Sequence, residues 1–175
     1  MNVTHTILDS PLGELALVGI DGALTGVYFP DHRRGPDTAA FGPRSKGGFD
    51  AAISQLDEYF RGVRQTFELN LAPRGDAFQL RVWQLLRQIP FGETRSYGQL
   101  AAELGKPGLA RAVGAANGRN PLSIIVPCHR VVGADGSLVG YAGGLERKRF
   151  LLTLEGALSG GQLSISLPAA VSAGS

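Results

Sequence analysis

The period of the hydrophobic pattern changes at Ala72-Pro73-Arg74-Gly75, and that change limits what each side of the chain can fold into. Ahead of it, short apolar or alternating runs, Thr6 to Asp9, Glu14 to Val18 and Leu24 to Phe29, are separated by Ser10-Pro11-Leu12-Gly13 and by Asp21-Gly22. Alternation places successive side chains on opposite faces of a strand, and Asp-Gly suits a two-residue hairpin turn. A three-strand antiparallel meander is predicted. Residues 31–48, rich in Gly, Pro and charge, read as an exposed loop. Phe49, Ile53, Leu56 and Phe60 then recur at helical spacing up to Gly62, and Thr66 to Leu71 alternates again.

Beyond the junction the pattern is helical. Phe78, Val82, Leu85, Leu86 and Ile89 form one apolar face, stopped by Pro90-Phe91-Gly92. Ser96 followed three residues later by Gln99 is a capping box, which opens a helix carrying Leu100, Ala101 and Leu104 and sets Tyr97 in its first turn. Gly105-Lys106-Pro107-Gly108 breaks that helix, and Leu109 to Asn117 gives another, closed at Gly118. Two short helices on a tight turn make a helix-turn-helix candidate. Leu122 to Val126, apolar between two prolines, reads as an extended segment, and Asp135-Gly136 reads as the turn of a small wing. Gly140-Tyr141-Ala142-Gly143-Gly144 reads as a flexible loop before a final helix that ends at Glu155-Gly156.

The expected fold class is therefore α+β. A small antiparallel-sheet domain with a helix spans 1–74, and a mostly helical domain with a winged helix-turn-helix spans 75–157. Residues 158–175, with five serines, three glycines and no charge, read as a weakly ordered tail.

No apolar run is long enough to cross a bilayer, and the opening MNVTHTILDSPLGE lacks the basic-then-apolar order of a signal peptide. A cytoplasmic protein is expected, with no membrane partner. The net charge of +2 is unevenly divided: residues 1–75 carry seven basic against nine acidic groups, and residues 76–175 ten against six. The second half is thus compatible with a polyanionic partner.

That half also holds the one cysteine, Cys128, in IIVPCHRVVG. A lone cysteine closes no internal disulfide, and His5 and His32 lie in other segments, so no ligand-spaced metal cluster forms. Two readings remain, a buried packing thiol or a reactive thiolate. His129 could take a thiol proton near neutral pH, given a bend that brings neighbouring side chains together. Glu155 is one candidate to orient it, and a solvated helix end is the alternative. The helix LARAVGAAN is equally double-valued. Its small residues Ala110, Ala112, Gly114, Ala115 and Ala116 permit close packing on a neighbour, and they also permit entry into a groove about 6 Å wide, with Arg111 projecting.

IIVPCHRVVGADG, FGETRSYGQLA, ARAVGAANGRNP and GYAGGLERKRFLLTLEG together resemble the O6-alkylguanine-DNA alkyltransferase family, also called methylated-DNA-protein-cysteine methyltransferases. The similarity is dense from Phe78 to Gly156 and looser before, where SPLGEL and LDEYFRG match best. The resemblance implies a ribonuclease-H-like first domain and a chain that binds duplex DNA containing O6-alkylguanine as a monomer, with cooperativity on DNA left open. It implies one irreversible transfer of a methyl or other alkyl group to Cys128, with O4-alkylthymine a poorer substrate. It assigns catalysis to Cys128, His129, Glu155 and Tyr97, and the base pocket to Tyr97, Asn120, Val131, Tyr141, Ala142 and Gly143. DNA contact falls to Tyr97, Ala110, Arg111, Gly114 and Asn117, with Arg111 filling the stack vacated by a base flipped through the minor groove. It implies no cofactor, and without the cysteines of zinc-holding relatives, no metal. Ala142 stands where several relatives carry serine, which removes one hydroxyl contact to the base. A Cys-His hydrolase, a non-catalytic lesion binder and a methyl-responsive regulator are the competing readings.

Overall fold

The computed structural model describes residues 2–32 and 35–158. Nearly all of the predicted tail, residues 159–175, lies outside the described residues.

The first half is the predicted meander: β1 (Val3–Ser10), β2 (Gly13–Ile20) and β3 (Ala23–Tyr28) pair antiparallel in chain order. Ile20 pairs with Ala23 across Asp21 (φ 50°) and Gly22 (φ 83°), the two left-handed residues of a tight hairpin turn. β2 is covered on both faces, which explains its continuous run Leu15-Ala16-Leu17-Val18. Leu15 and Leu17 join the main core, whereas Ala16 and Val18 pack against Phe41. The helix α1 (Asp50–Phe60) adds Ala52, Leu56 and Tyr59 to the main core.

Thr66 to Leu71 does not form the predicted strand. Only Leu71 bridges to Leu24, and the Gln55 side chain takes the place of a neighbouring strand at Glu68, accepting from its N–H at 2.9 Å and donating to its carbonyl at 3.1 Å. Backbone groups satisfied by a side chain need no ladder.

The second half comprises α2 (Ala77–Leu86), the two-residue β4 (Arg95–Ser96), α3 (Tyr97–Glu103), α4 (Ala110–Gly118), the two-residue β5 (Val131–Val132) and α5 (Leu145–Leu154). The Ser96–Gln99 capping box forms as predicted, and a second, Asp76–Gln79, opens α2. Gly75 lies against the Trp83 ring; a Cβ there would sit 2.5 Å from it, so the junction needs glycine for close approach. Gly118 is not the left-handed cap expected of it: it is the last helical residue of α4, and Arg119 (φ −99°) caps the end. β5 pairs in parallel with β4, so the wing is held by the residues that lead into α3. The Asp135-Gly136 turn is closed by Gly133 N–H donating to the Ser137 carbonyl at 2.9 Å.

One continuous core runs through both halves, with Leu15, Phe29, Leu56 and Tyr59 in the same cluster as Trp83, Leu100, Val113, Val126 and Leu151. A bridge between Val27 and Leu122 ties β3 to the segment just ahead of Cys128. Among the described residues no helix is long and apolar enough to cross a membrane.

Candidate active site

The segment before Cys128 is a turn and not the extended run predicted for it. Ile124 is left-handed (φ 73°), the Val126 N–H donates back to Leu122, and a 3₁₀ turn follows at Cys128–Arg130. Asn120 holds this turn shut by donating to the Val126 carbonyl at 2.8 Å and accepting from the Leu122 N–H at 3.0 Å. A left-handed isoleucine is strained, and Asn120 supplies bonds that hold it. Cys128 is thereby fixed with 3% of its surface exposed. Burial pushes the thiol pKa up, opposed by hydrogen bonding from Asn120 and by the charge of Lys148.

The 3₁₀ turn supplies the bend that the sequence left open, but it directs His129 away toward α5. The imidazole Nε2 lies 2.8 Å from Glu155 Oε2, and Nδ1 has no hydrogen-bond partner among the described residues. Glu155 is not a solvated helix end. Besides His129 it accepts from Arg130 Nε at 2.8 Å on Oε1, and from Arg130 Nη2 at 3.0 Å and the Tyr59 hydroxyl at 2.6 Å on Oε2. Burial alone would raise its pKa, but hydrogen bonds from His129 and Arg130, with the charge of Arg130, hold it down at about 2. A carboxylate accepting from Nε2–H fixes the tautomer in which Nδ1 is the free base. Burial in turn pushes the His129 pKa down, against the pull of Glu155.

A pocket of about 200 Å³ is lined by Tyr97, Gly114, Asn117, Gly118, Gly140, Tyr141 and Ala142; Cys128 does not line it. Tyr97, at the start of α3, donates its hydroxyl to the Val139 carbonyl at 3.2 Å across the rim. Its pKa is raised by burial and by the neighbouring Cys128, so it stays a donor at neutral pH. Asn117 donates weakly to the Cys128 carbonyl at 3.4 Å, joining the pocket floor to the cysteine. Val131 is fully buried in the core and does not line the pocket. Gly143 is also behind the wall: a Cβ there would meet the Phe29 ring at 2.5 Å, so it lets the pocket loop pack on β3's end.

That loop, predicted flexible, is anchored. Lys148, fully buried, donates to the carbonyls of Val131 at 2.5 Å, Val139 at 2.9 Å and Gly140 at 3.0 Å. Arg147 joins it to the first half, donating to the carbonyls of Gly143 and Leu12, pairing with Asp31 and lying 4.7 Å from the Phe29 ring centre. Burial pulls the Lys148 pKa down to about 8, with the Cys128 charge opposing.

One face of α4 packs, as its composition allowed, and the other is left exposed. Val113, Ala116 and Asn117 are buried, and the Ala116 carbonyl accepts from Trp83 Nε1 at 2.8 Å. Arg111, Ala115 and Arg119, spaced by four residues, form an exposed stripe beside the half-buried Ala110 and Gly114. Arg119, Tyr59 and Lys148 were not read from the sequence, whereas Arg130, expected beside His129 as a group that lowers the thiol pKa, is turned onto Glu155 instead. Arg119 follows Arg111 at two helical turns, a signal that was available. Tyr59 and Lys148 are chemically ordinary in sequence and gain meaning only from where they are buried.

Family models for the 6-O-methylguanine DNA methyltransferase ribonuclease-like domain and DNA binding domain match residues 3–73 and 77–157. A methylated-DNA–protein-cysteine methyltransferase of Mycobacterium leprae is 53% identical over 148 residues, 85% of this chain and 89% of the relative. One of Methanosarcina acetivorans is 46% identical over 152 residues, 87% of this chain and 97% of the relative. The crystal structure of Mycobacterium tuberculosis OGT in complex with DNA superposes with a TM-score of 0.82 at 49% identity, covering 87% of this chain and 92% of that one.

Proposed function

The chain belongs to the 6-O-methylguanine DNA methyltransferase family, and from that premise we propose how its own residues carry out the reaction. It is a methylated-DNA–protein-cysteine methyltransferase, a DNA-binding repair protein that moves an alkyl group from damaged DNA onto a cysteine of its own. Cys128 is the acceptor. Its sulfur attacks the alkyl carbon on guanine O6; the carbon–sulfur bond forms as the carbon–oxygen bond breaks, and the electron pair of that bond stays with the base.

The thiol proton passes through a water to His129 Nδ1, the nitrogen left free by the Glu155 bond. Tyr97 donates a proton to the departing base from the pocket rim. In the resting site the thiol pKa is raised and the imidazole pKa lowered, so both groups are neutral until a base lies in the pocket. A thioether has no easy leaving group, and Cys128 is the chain's only thiol, so each molecule acts once.

The alkylated atom is inside a stacked pair, and the buried sulfur cannot reach it there. The nucleotide is therefore flipped, at a cost of a few kcal/mol. α4 enters the minor groove with its small face, Arg111 fills the vacated stack, and Ala110, Gly114 and Asn117 lie against the strand. Tyr141, Ala142 and the backbone of the 140–143 loop enclose the base, with Asn120, Val131 and Gly143 bracing it from behind. O4-alkylthymine enters the same pocket as a poorer fit. The protein acts as a monomer and needs no metal or cofactor.

The observation that carries this reading is a buried cysteine whose carbonyl is joined by Asn117 to a pocket rimmed by Tyr97, with the next residue, His129, bonded to Glu155. Intact-protein mass spectrometry after mixing with duplex containing one O6-methylguanine tests it. One methyl group on Cys128 and no further turnover is expected, with transfer abolished and DNA binding kept in Cys128→Ser. Transfer by Cys128→Ser would refute the acceptor role, and an unchanged duplex repair rate in Arg111→Ala would refute the finger.

A further inference from the structure

We propose that Tyr59, a residue of the first half of the chain, is a positioning residue of the proton relay, setting the orientation and basicity of His129 through Glu155. This rests on the reading of Cys128 and His129 given above. Tyr59 belongs to α1, 96 positions from Glu155, yet its hydroxyl donates at 2.6 Å to Oε2, the same oxygen that receives His129 Nε2–H.

Packing alone does not require that hydroxyl. The ring already has an apolar setting, edge-on to Phe60 and Phe91 and tilted against Phe67, and the residue is fully buried. A phenylalanine would fill the same space. A buried hydroxyl is retained at low cost only where it finds a partner, and here its partner is the relay carboxylate. Burial and the Glu155 charge push the Tyr59 pKa far up, so it acts as a fixed donor and never as an acid.

Two consequences follow for His129. With Arg130 on both carboxylate oxygens and Tyr59 on Oε2, Glu155 is clamped from two sides and cannot turn away from the imidazole. The Tyr59 donor also withdraws charge from the oxygen facing His129, which lessens the stabilisation of an imidazolium. The charged groups acting on His129 are Glu155, Arg130 and Lys148, and only Glu155 favours its protonation. Removing the Tyr59 hydroxyl therefore makes His129 more basic and less well aimed.

The test is Tyr59→Phe in the full chain, read by single-turnover transfer from O6-methylguanine duplex across pH 5 to 9. The expected result is a rate ~3- to 10-fold lower near neutrality, an acidic limb displaced to higher pH, and unchanged duplex affinity. A profile superimposable on that of the parent overturns the proposal. So does a uniform fall at every pH with a lowered melting temperature, the mark of a packing role alone. Tyr59→Leu, which loses ring and hydroxyl together, separates the two: it should share the limb displacement and add a stability loss. If Cys128→Ser still transfers, the underlying reading fails instead, whatever Tyr59→Phe does.

Discussion

Glu155→Gln removes one negative charge from the most heavily bonded side chain of the site and leaves the Arg130 guanidinium, 6% exposed, without its counter-charge. The cost can be worked two ways. The Glu155 pKa falls from 4.5 to about 2 on folding, and at 1.36 kcal/mol per unit this contributes ~3 kcal/mol to stability. Breaking a buried ion pair by removing one partner costs about 3–5 kcal/mol, and the amide's remaining hydrogen bonds favour the lower end. Both routes give about 3 kcal/mol, or a melting temperature lower by roughly 6–12 °C for a chain of this size. Because the folded pKa is the depressed one, the contribution is complete above pH 4.5 and is lost as pH falls through about 2. Trp83, the one tryptophan, is buried with its N–H bonded to Ala116 in α4, and its fluorescence reports urea unfolding. The gap between parent and variant should be about 3 kcal/mol at pH 7 and less than half of that by pH 3. A gap under about 1 kcal/mol at pH 7, or one of equal size at both pH values, would refute the accounting.

Gly143→Ala should destabilise by about 1–3 kcal/mol, because its Cβ would sit 2.5 Å from the Phe29 ring. It should also slow capture of the base more than alkylation of Cys128 by a small electrophile; equal slowing of both would contradict a role confined to the pocket loop. Lys148→Met deletes the donor to the Val131, Val139 and Gly140 carbonyls and should lower repair. The Lys148 pKa falls from 10.5 to about 8 on folding, so the parent carries a penalty below pH 8 that is relieved toward pH 10.5. Relative to Lys148→Met, parent stability should thus rise by up to ~3 kcal/mol across that window, and a flat difference in urea titrations would argue against a charged lysine in this cavity.

Elements whose cause lies within a few residues were legible in the sequence. The hairpin at Asp21-Gly22 and the capping box at Ser96–Gln99 are local contracts between backbone and side chain, and both formed where they were read. The errors have a common physical origin in side-chain partners that lie outside the segment whose pattern was read, near or far. Thr66 to Leu71 alternates like a strand, but Gln55 satisfies its backbone; Leu122 to Val126 is apolar enough for a strand, but Asn120 folds it into a turn. The loop 140–144 has a flexible composition, yet a lysine on α5 fixes it.

The candidate site divides along the same line. Tyr97, Arg111, Cys128 and His129 could be singled out because a phenol at a helix start, an arginine among alanines and a thiol beside an imidazole are unusual on their own. Tyr59 could not, since LDEYF is an ordinary amphipathic stretch and nothing within it calls for a hydroxyl. What gives Tyr59 its meaning is that α1 packs across the same core as α5, which lays a buried donor against a buried carboxylate 96 positions away. Glu155 fails the same local test: at a helix end a glutamate is normally solvated, and only its burial turns it into the acceptor on which His129, Arg130 and Tyr59 converge. The first half of the chain is thus part of the site electrostatically even though its sequence carries no catalytic motif. An isolated second half would keep Cys128, His129 and Tyr97 but lose the Tyr59 donor on Glu155 Oε2, one of the groups that hold the carboxylate facing the imidazole.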